Sequence, residues 1–290
     1  MRRAIFLIIR YVFFMLTSLV LLMPRLDGLK RIAHAEENGG KKITVADFSD
    51  KEGFFDNWKS FKKIPKERFK LNRDDSYPYL EVIARGDAIP IAKEERFDPK
   101  EFQLLSWKWR VLELPQKGNE GMEERSDSAA GIYVIFSNAA GSLFNLNTLS
   151  KFWRFPSLTP DMVKPETIKY VWSASLDIGH TTESPYSKKT KIVVLKNHTS
   201  PLNRWVTEKV NIYDDYKRLF GDEPSQVYGI GLLTDADNTQ SQAVAHYGGI
   251  VRKKLVRSHT FQSHDFTIAD RTQYVNGDMH HVNQMNKKRR

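Results

Sequence analysis

No cysteine occurs among the 290 residues. Disulfide staples, thiol nucleophiles and zinc–thiolate centres are therefore excluded, and any folded domain must be held by its core alone. Catalytic and cofactor signatures are missing as well. There is no Gly-x-Ser-x-Gly, no glycine loop before a Lys-Ser/Thr pair, no dinucleotide fingerprint and no His-Glu-x-x-His. The body of the chain also lacks a charge of one sign. The formal charge of +10 comes from the ends: residues 2–31 hold six basic side chains and residues 252–290 hold nine. Between Glu36 and Val251, 30 basic residues face 31 acidic ones. That balance gives no basic groove, so no nucleic-acid partner is expected.

Only the N-terminus has a long hydrophobic run. Arg2 and Arg3 precede an apolar stretch over 11–24, and Ala33-His34-Ala35 supplies a small-x-small pattern. These features predict an export signal over 1–35, cut after Ala35. The alternative is an uncleaved anchor over 4–23, which would hold Arg10 inside the bilayer at a cost of about 3 kcal/mol. Either reading makes the globular part periplasmic or secreted, with membrane contact only through an uncleaved N-terminus. Residues 36–255 read as one domain, whose ~220 residues can bury roughly 70% of their unfolded surface. Residues 256–290 are polar, carry four histidines and end in Lys287-Lys288-Arg289-Arg290. They read as a disordered basic tail.

Short apolar runs separated by turn-rich segments predict strands over 43–48, 58–61, 79–85, 104–112, 131–136, 167–175, 191–195, 205–212, 226–233 and 243–251. That spacing suggests an all-β fold, a two-sheet β-sandwich of jelly-roll type. One helix is expected over 213–220, with Asp214 or Asp215 at its start and Gly221 just past its end. In the strand over 104–112, Leu105, Trp107, Trp109 and Val111 alternate with Lys108 and Arg110. The tryptophans then form a core layer and the cations an outer face. Two segments read as long loops: a charged one over 116–128 and an aromatic one over 138–166, which could lid the sheet or cover its edge.

The run Tyr228-Gly229-Ile230-Gly231-Leu232-Leu233-Thr234-Asp235-Ala236-Asp237-Asn238-Thr239 ends a glycine-thinned strand in three oxygen-rich side chains. Such a turn can hold itself through its own backbone, or offer oxygens to a ligand or cation. Asp235 and Asp237, with a partner such as Asp47, supply part of the six to eight oxygens that a structural calcium needs. Sugar recognition needs flat apolar faces beside bidentate polar groups. Lys108, Arg110, Tyr133, Trp172, Asp235, Asp237 and Asn238 are the candidate ligand-binding residues, with Tyr170 and Trp153 as further aromatics. Tyr170 and Trp172 share one strand face, a pattern that core residues also show. No catalytic residue is assigned. A carboxylate pair drawn from Asp235 or Asp237 and a distant acid such as Glu183 is the enzymatic alternative. Adjacent acids on one turn, however, approach a substrate from one side only.

A family resemblance is carried by several runs together. They are Asp47-Phe48 with Trp58, Leu105-Ser106-Trp107-Lys108-Trp109-Arg110-Val111, Ile132-Tyr133-Val134-Ile135-Phe136 and Lys169-Tyr170-Val171-Trp172-Ser173. They continue in Asp215-Tyr216-Lys217-Arg218-Leu219-Phe220-Gly221, Thr234-Asp235-Ala236-Asp237-Asn238-Thr239 and Ala245-His246-Tyr247-Gly248-Gly249-Ile250. Over about 43–251 the chain resembles the bacterial "domain of unknown function 3047" family and, more distantly, the galactose-binding-like jelly rolls. Gly249 stands where that family usually carries an acid, which removes one oxygen ligand. The family implies no activity. The wider jelly-roll likeness includes carbohydrate-binding modules, and that step is fold-level analogy. The expectation is an exported, non-catalytic module for a glycan or cell-envelope ligand. The alternatives are a polysaccharide-acting hydrolase and a structural or protein-interaction module.

Overall fold

A computed structural model describes residues 40–60, 63–74, 77–137 and 164–255. The export segment over 1–35, nearly all of the aromatic segment over 138–166, and the tail over 256–290 lie outside the described residues. Twelve strands build two six-stranded sheets among the described residues. Sheet one runs β10 (Val206–Asn211), β5 (Leu104–Glu113), β12 (Gln242–Lys253), β3 (Pro78–Arg85) and β2 (Phe69–Arg73); β1 (Lys42–Ala46) also pairs with β12. Sheet two runs β4 (Ala88–Phe97), β11 (Val227–Asp235), β6 (Ala130–Phe136), β7 (Thr167–Trp172), β9 (Ser187–Lys196) and β8 (Thr181–Ser184). All neighbours are antiparallel except β7 and β9, which run parallel. The result is the expected two-sheet β-sandwich of jelly-roll type, with two short α-helices among the described residues, α1 (Phe54–Asn57) and α2 (Ile212–Phe220).

The sandwich forms because the inward faces of the two sheets are apolar at period two. Leu105, Trp107, Trp109 and Val111 of β5 are buried, as the alternation requires. They meet sheet two at its aromatic stripe. The Trp107 ring lies 5.6 Å from that of Tyr170, and Trp109 lies 5.9 Å from Trp172. Each ring of this size removes 150–250 Å² from water, roughly. Three of their polar tips find partners, Trp109 Nε1 donating to Glu208 at 3.1 Å, Trp172 Nε1 to the Asn197 carbonyl at 3.1 Å, and Tyr170 to Asp215 at 2.8 Å, whereas the buried Trp107 Nε1 has none among the described residues.

Three strands go unread in the sequence: β2, β4 and β8. All three are edge strands. β4 carries Pro90 and a charged second half, which an edge position tolerates because one side needs no ladder. The stretch over 58–61 gives only an isolated bridge from Lys59 to Ala92. The helix is capped by Asn211, not by Asp214 or Asp215. Asn211 accepts from the Asp214 N–H at 3.1 Å, while Gly221, at φ 76°, closes the other end. In β11, Gly229 is required by close approach, since a Cβ there would lie 2.9 Å from the Lys93 carbonyl of β4. No helix among the described residues is long and apolar enough to cross a membrane.

Candidate functional site

A cleft of about 600 Å³ opens on the outer face of sheet two. Its floor follows from alternation. In β6 and β7, Ile132, Val134, Ile168 and Tyr170 point into the core, so Tyr133, Thr167 and Lys169 point outward. In β11, Thr234 points inward to Tyr247, and Leu233 and Asp235 point into the cleft. Tyr186, from the β8–β9 turn, and Pro90, Lys164 and Pro165 contribute walls. Asp237, Asn238 and Gln240 line the cleft beside Asp235.

Lys169 sits at the centre of the electrostatics. It is a charged residue that is only 4% exposed, on a strand buried along its whole length. Burial alone would favour the neutral amine. Tyr133, Glu120 and Asp235 oppose that and hold its pKa above the ordinary lysine value. The Lys169 ammonium lies 5.5 Å from the Tyr133 ring centre. Glu120 is wholly buried behind this floor, and its Oε2 accepts from Ser173 Oγ at 2.6 Å. Burial pushes the Glu120 carboxyl up, with Lys169 acting against that. Asp235 is pushed well above the usual carboxylate range, by burial first and by Asp237 second. Burial also raises the Tyr133 and Tyr186 phenols, so both stay neutral and can donate or accept.

The acidic turn is held from outside itself. Asp127, buried in the charged loop, accepts from the Asn238 N–H at 3.1 Å, the Thr239 N–H at 2.7 Å and Thr239 Oγ1 at 2.5 Å. Asn238 Nδ2 donates to the Glu123 carbonyl at 2.8 Å and to Tyr186 Oη at 3.0 Å. The turn, the charged loop and the β8–β9 turn are thus bonded into one rim. Within the turn the only aspartate-to-backbone bond is long, from the Asp237 N–H to Asp235 at 3.4 Å.

The predicted site residues divide. Tyr133, Asp235, Asp237 and Asn238 come together in the cleft. Lys108 and Arg110 do not join them. They project from β5 on the outer side of sheet one, because Trp107 and Trp109 take the core side, whereas the cleft opens on the outer side of sheet two. Trp172 is no ligand platform: its ring is fully buried against Trp109. Asp47 borders a smaller cavity with Lys93 and Trp58, and its carboxylate binds the Ser49 N–H at 3.0 Å and Oγ at 2.8 Å. That pair of bonds holds the Asp47 pKa below its ordinary value.

Asp127 takes the place expected of Asp47 beside Asp235 and Asp237, with one oxygen from each lying within 4.8 Å of the others. The trio matches calcium poorly. Both Asp127 oxygens already accept hydrogen bonds, and the Lys169 ammonium already supplies positive charge to Asp235. Lys169, Glu120, Asp127 and Tyr186 escape the sequence reading. A lysine inside the run Thr167-Ile168-Lys169-Tyr170-Val171-Trp172 was the one available signal. Glu120 and Asp127 sit in a loop where charge is ordinary.

These observations define a thiol-free β-sandwich with a polar, tyrosine-walled cleft on one outer sheet face. The chain belongs to the family described as "Protein of unknown function (DUF3047)", whose model matches residues 56–251. Comparison of the sequence with curated proteins gives no match. Similar solved structures include a mannan-recognising carbohydrate-binding module, TmCBM27, at TM-score 0.32 and 11% identity, over 74% of this chain and 99% of that one. Another is the xylan-binding module CBM15, at TM-score 0.30 and 11% identity, over 76% and 100%. A third is a variant of the Cel12A cellulase of Rhodothermus marinus, at TM-score 0.35 and 9% identity, over 74% and 100%. Scores of this size carry no argument about ligand or activity.

Proposed function

We propose that this protein is an exported, non-catalytic module that binds a glycan in the cleft on sheet two. The observation that carries the reading is the chemistry of the cleft lining. Tyr133 and Tyr186 offer ring surface, Lys169 offers a donor, and Asp235, Asp237 and the Asn238 amide oxygen offer acceptors, all around one cavity of about 600 Å³. A polyhydroxyl ligand needs that mixture, since each hydroxyl donates and accepts and the sugar ring has apolar faces. The rim bonds of Asp127 and Asn238 fix the polar groups in advance, which reduces the ordering cost of binding. Export rests on the basic, then apolar, then small-residue order of residues 1–35.

The test is affinity electrophoresis of the full chain against soluble xylan, glucomannan, β-glucan and arabinogalactan. At least one should retard it, and Asp237→Asn should weaken that retardation about fivefold or more. No retardation by any of them, or retardation unchanged in the variant, defeats the reading. Asp235 also meets one condition for a hydrolase, a carboxyl whose pKa burial and Asp237 push above the usual carboxylate range. Asp235 and Asp237, however, reach the cleft from one turn and hence from one side, so the same polysaccharides should release no reducing ends.

A further inference from the structure

The outer face of sheet one carries a second constellation that the cleft does not use. Lys108 and Arg110 emerge from β5 about 7 Å apart along the strand. Rings surround them. The Lys108 ammonium lies 4.1 Å from the centre of the Tyr77 ring, and the Arg110 guanidinium lies 4.6 Å from that of Trp205 and 5.4 Å from that of Tyr79. Gly248 of β12 makes this possible. A Cβ there would stand 3.1 Å from Lys108 Cβ, 3.2 Å from the Tyr77 ring and 3.5 Å from Trp205, so the missing side chain lets both rings lie down on the sheet.

Arg110 is held unusually for a structural arginine. Its Nε donates to His246 Nδ1 at 3.0 Å, and His246 Nε2 meets Glu81 Oε2 at 2.9 Å. Since Arg110 can only donate, His246 Nδ1 must accept, and its proton sits on Nε2, facing Glu81. Burial and then Arg110 lower the His246 pKa to about 4, so the imidazole is neutral at pH 7. The guanidinium is therefore oriented by a neutral acceptor, with the carboxylate one residue further away. The other nearby acid, Asp74, is bonded to Trp205 Nε1 at 2.8 Å and to the Tyr77 N–H at 3.2 Å. Among the described residues neither Lys108 nor Arg110 is in an ion pair, and the two Nη groups of Arg110 make no hydrogen bond.

A guanidinium locked at Nε and stacked on one face presents its remaining edge as a fixed two-pronged donor. Its best partner is a planar oxyanion, and the natural match is a carboxylate. We propose that the outer face of sheet one is a second binding site, for the carboxylate of an acidic polysaccharide, gripped by the Nη edge of Arg110 with Lys108 as the adjacent charge. The half-buried rings of Tyr77 and Trp205 border that edge and offer apolar contact to the sugar. The two outer faces then serve different ligands, one polyhydroxyl and one anionic.

The experiment titrates the full chain with polygalacturonate, following tryptophan fluorescence and, separately, heat. Wild type should bind. Arg110→Lys keeps the charge and loses the fork, and should bind about tenfold more weakly or worse, as loss of a bidentate charged contact implies. Lys108→Gln should lose about threefold. Asp237→Asn, in the cleft, should be unchanged, which separates failure here from failure of the cleft reading. A variant with Lys287, Lys288, Arg289 and Arg290 all changed to Gln should also be unchanged, since the tail attracts polyanions by charge alone. The proposal is overturned if wild type does not bind, if Arg110→Lys binds as wild type, or if the tail variant accounts for the loss. Polyphosphate binding in preference to polygalacturonate would also overturn it, because the site would then read phosphate. Should Arg110→Lys fail to fold by circular dichroism, Lys108→Gln decides alone.

Discussion

Replacing Lys169 by Met isolates the electrostatics of the cleft floor from its packing. The two side chains are close in volume, so the cavity term stays under about 1.5 kcal/mol. What is lost is the cation that faces Glu120 and Asp235, both of which are nearly or wholly buried. Removing a cation from beside buried acids costs about 3–5 kcal/mol, because they lose the charge that opposes their desolvation. For a domain of this size, 1 kcal/mol is worth about 2–4 °C, so melting should fall by about 6–20 °C. Adding Asp235→Asn to Lys169→Met should recover about 1–3 kcal/mol, since a neutral amide no longer needs the cation. The sign of the pH response follows from the raised Asp235 pKa. The folded state keeps a proton that the unfolded chain has already lost, so this group's contribution to stability falls as pH rises from the unfolded carboxylate range to the folded value. Without Lys169 that decline should extend to higher pH. Urea unfolding of the full chain, followed by tryptophan fluorescence between pH 4.5 and 8, reads both effects. A single variant within 1 kcal/mol of wild type, or a double variant with no recovery, would refute the assigned role of Lys169.

Two further outcomes are expected. Because the His246 pKa is lowered to about 4 in the fold, the unfolded chain takes up the proton first as pH drops. Stability should therefore decline between about pH 6.5 and 4, by about 2–3 kcal/mol, and His246→Gln should flatten that slope in urea titrations at several pH values. Asp127→Ala removes three hydrogen bonds from the rim and should cost about 2–4 kcal/mol, with faster amide exchange at Asn238 and Thr239 than in wild type.

Much of the architecture is written in local pattern. The alternation of Trp107 and Trp109 with Lys108 and Arg110 fixes which side of β5 is core, because side chains on an extended strand must point to opposite faces. The turn glycine at 221 marks the end of α2 for an equally local reason, the left-handed backbone it adopts. Edge strands such as β4 stay hidden, since one side carries no ladder and they can hold Pro90 and a run of charges without penalty. The parallel pairing of β7 with β9 also leaves no local mark.

The cleft is legible only in part. The acidic turn announces itself, yet what it faces is set by which sheet each strand joins. Cysteine-free composition, a charge-balanced body and period-two alternation determined a self-sufficient β-sandwich, because they act within a few residues or over the whole chain at once. Tertiary structure alone placed Lys169, Glu120 and Asp127 around Asp235 and sent Arg110 to the opposite face. Those relations join residues about 65 to 115 positions apart, and no spacing along the chain encodes which of two outward faces a strand will present.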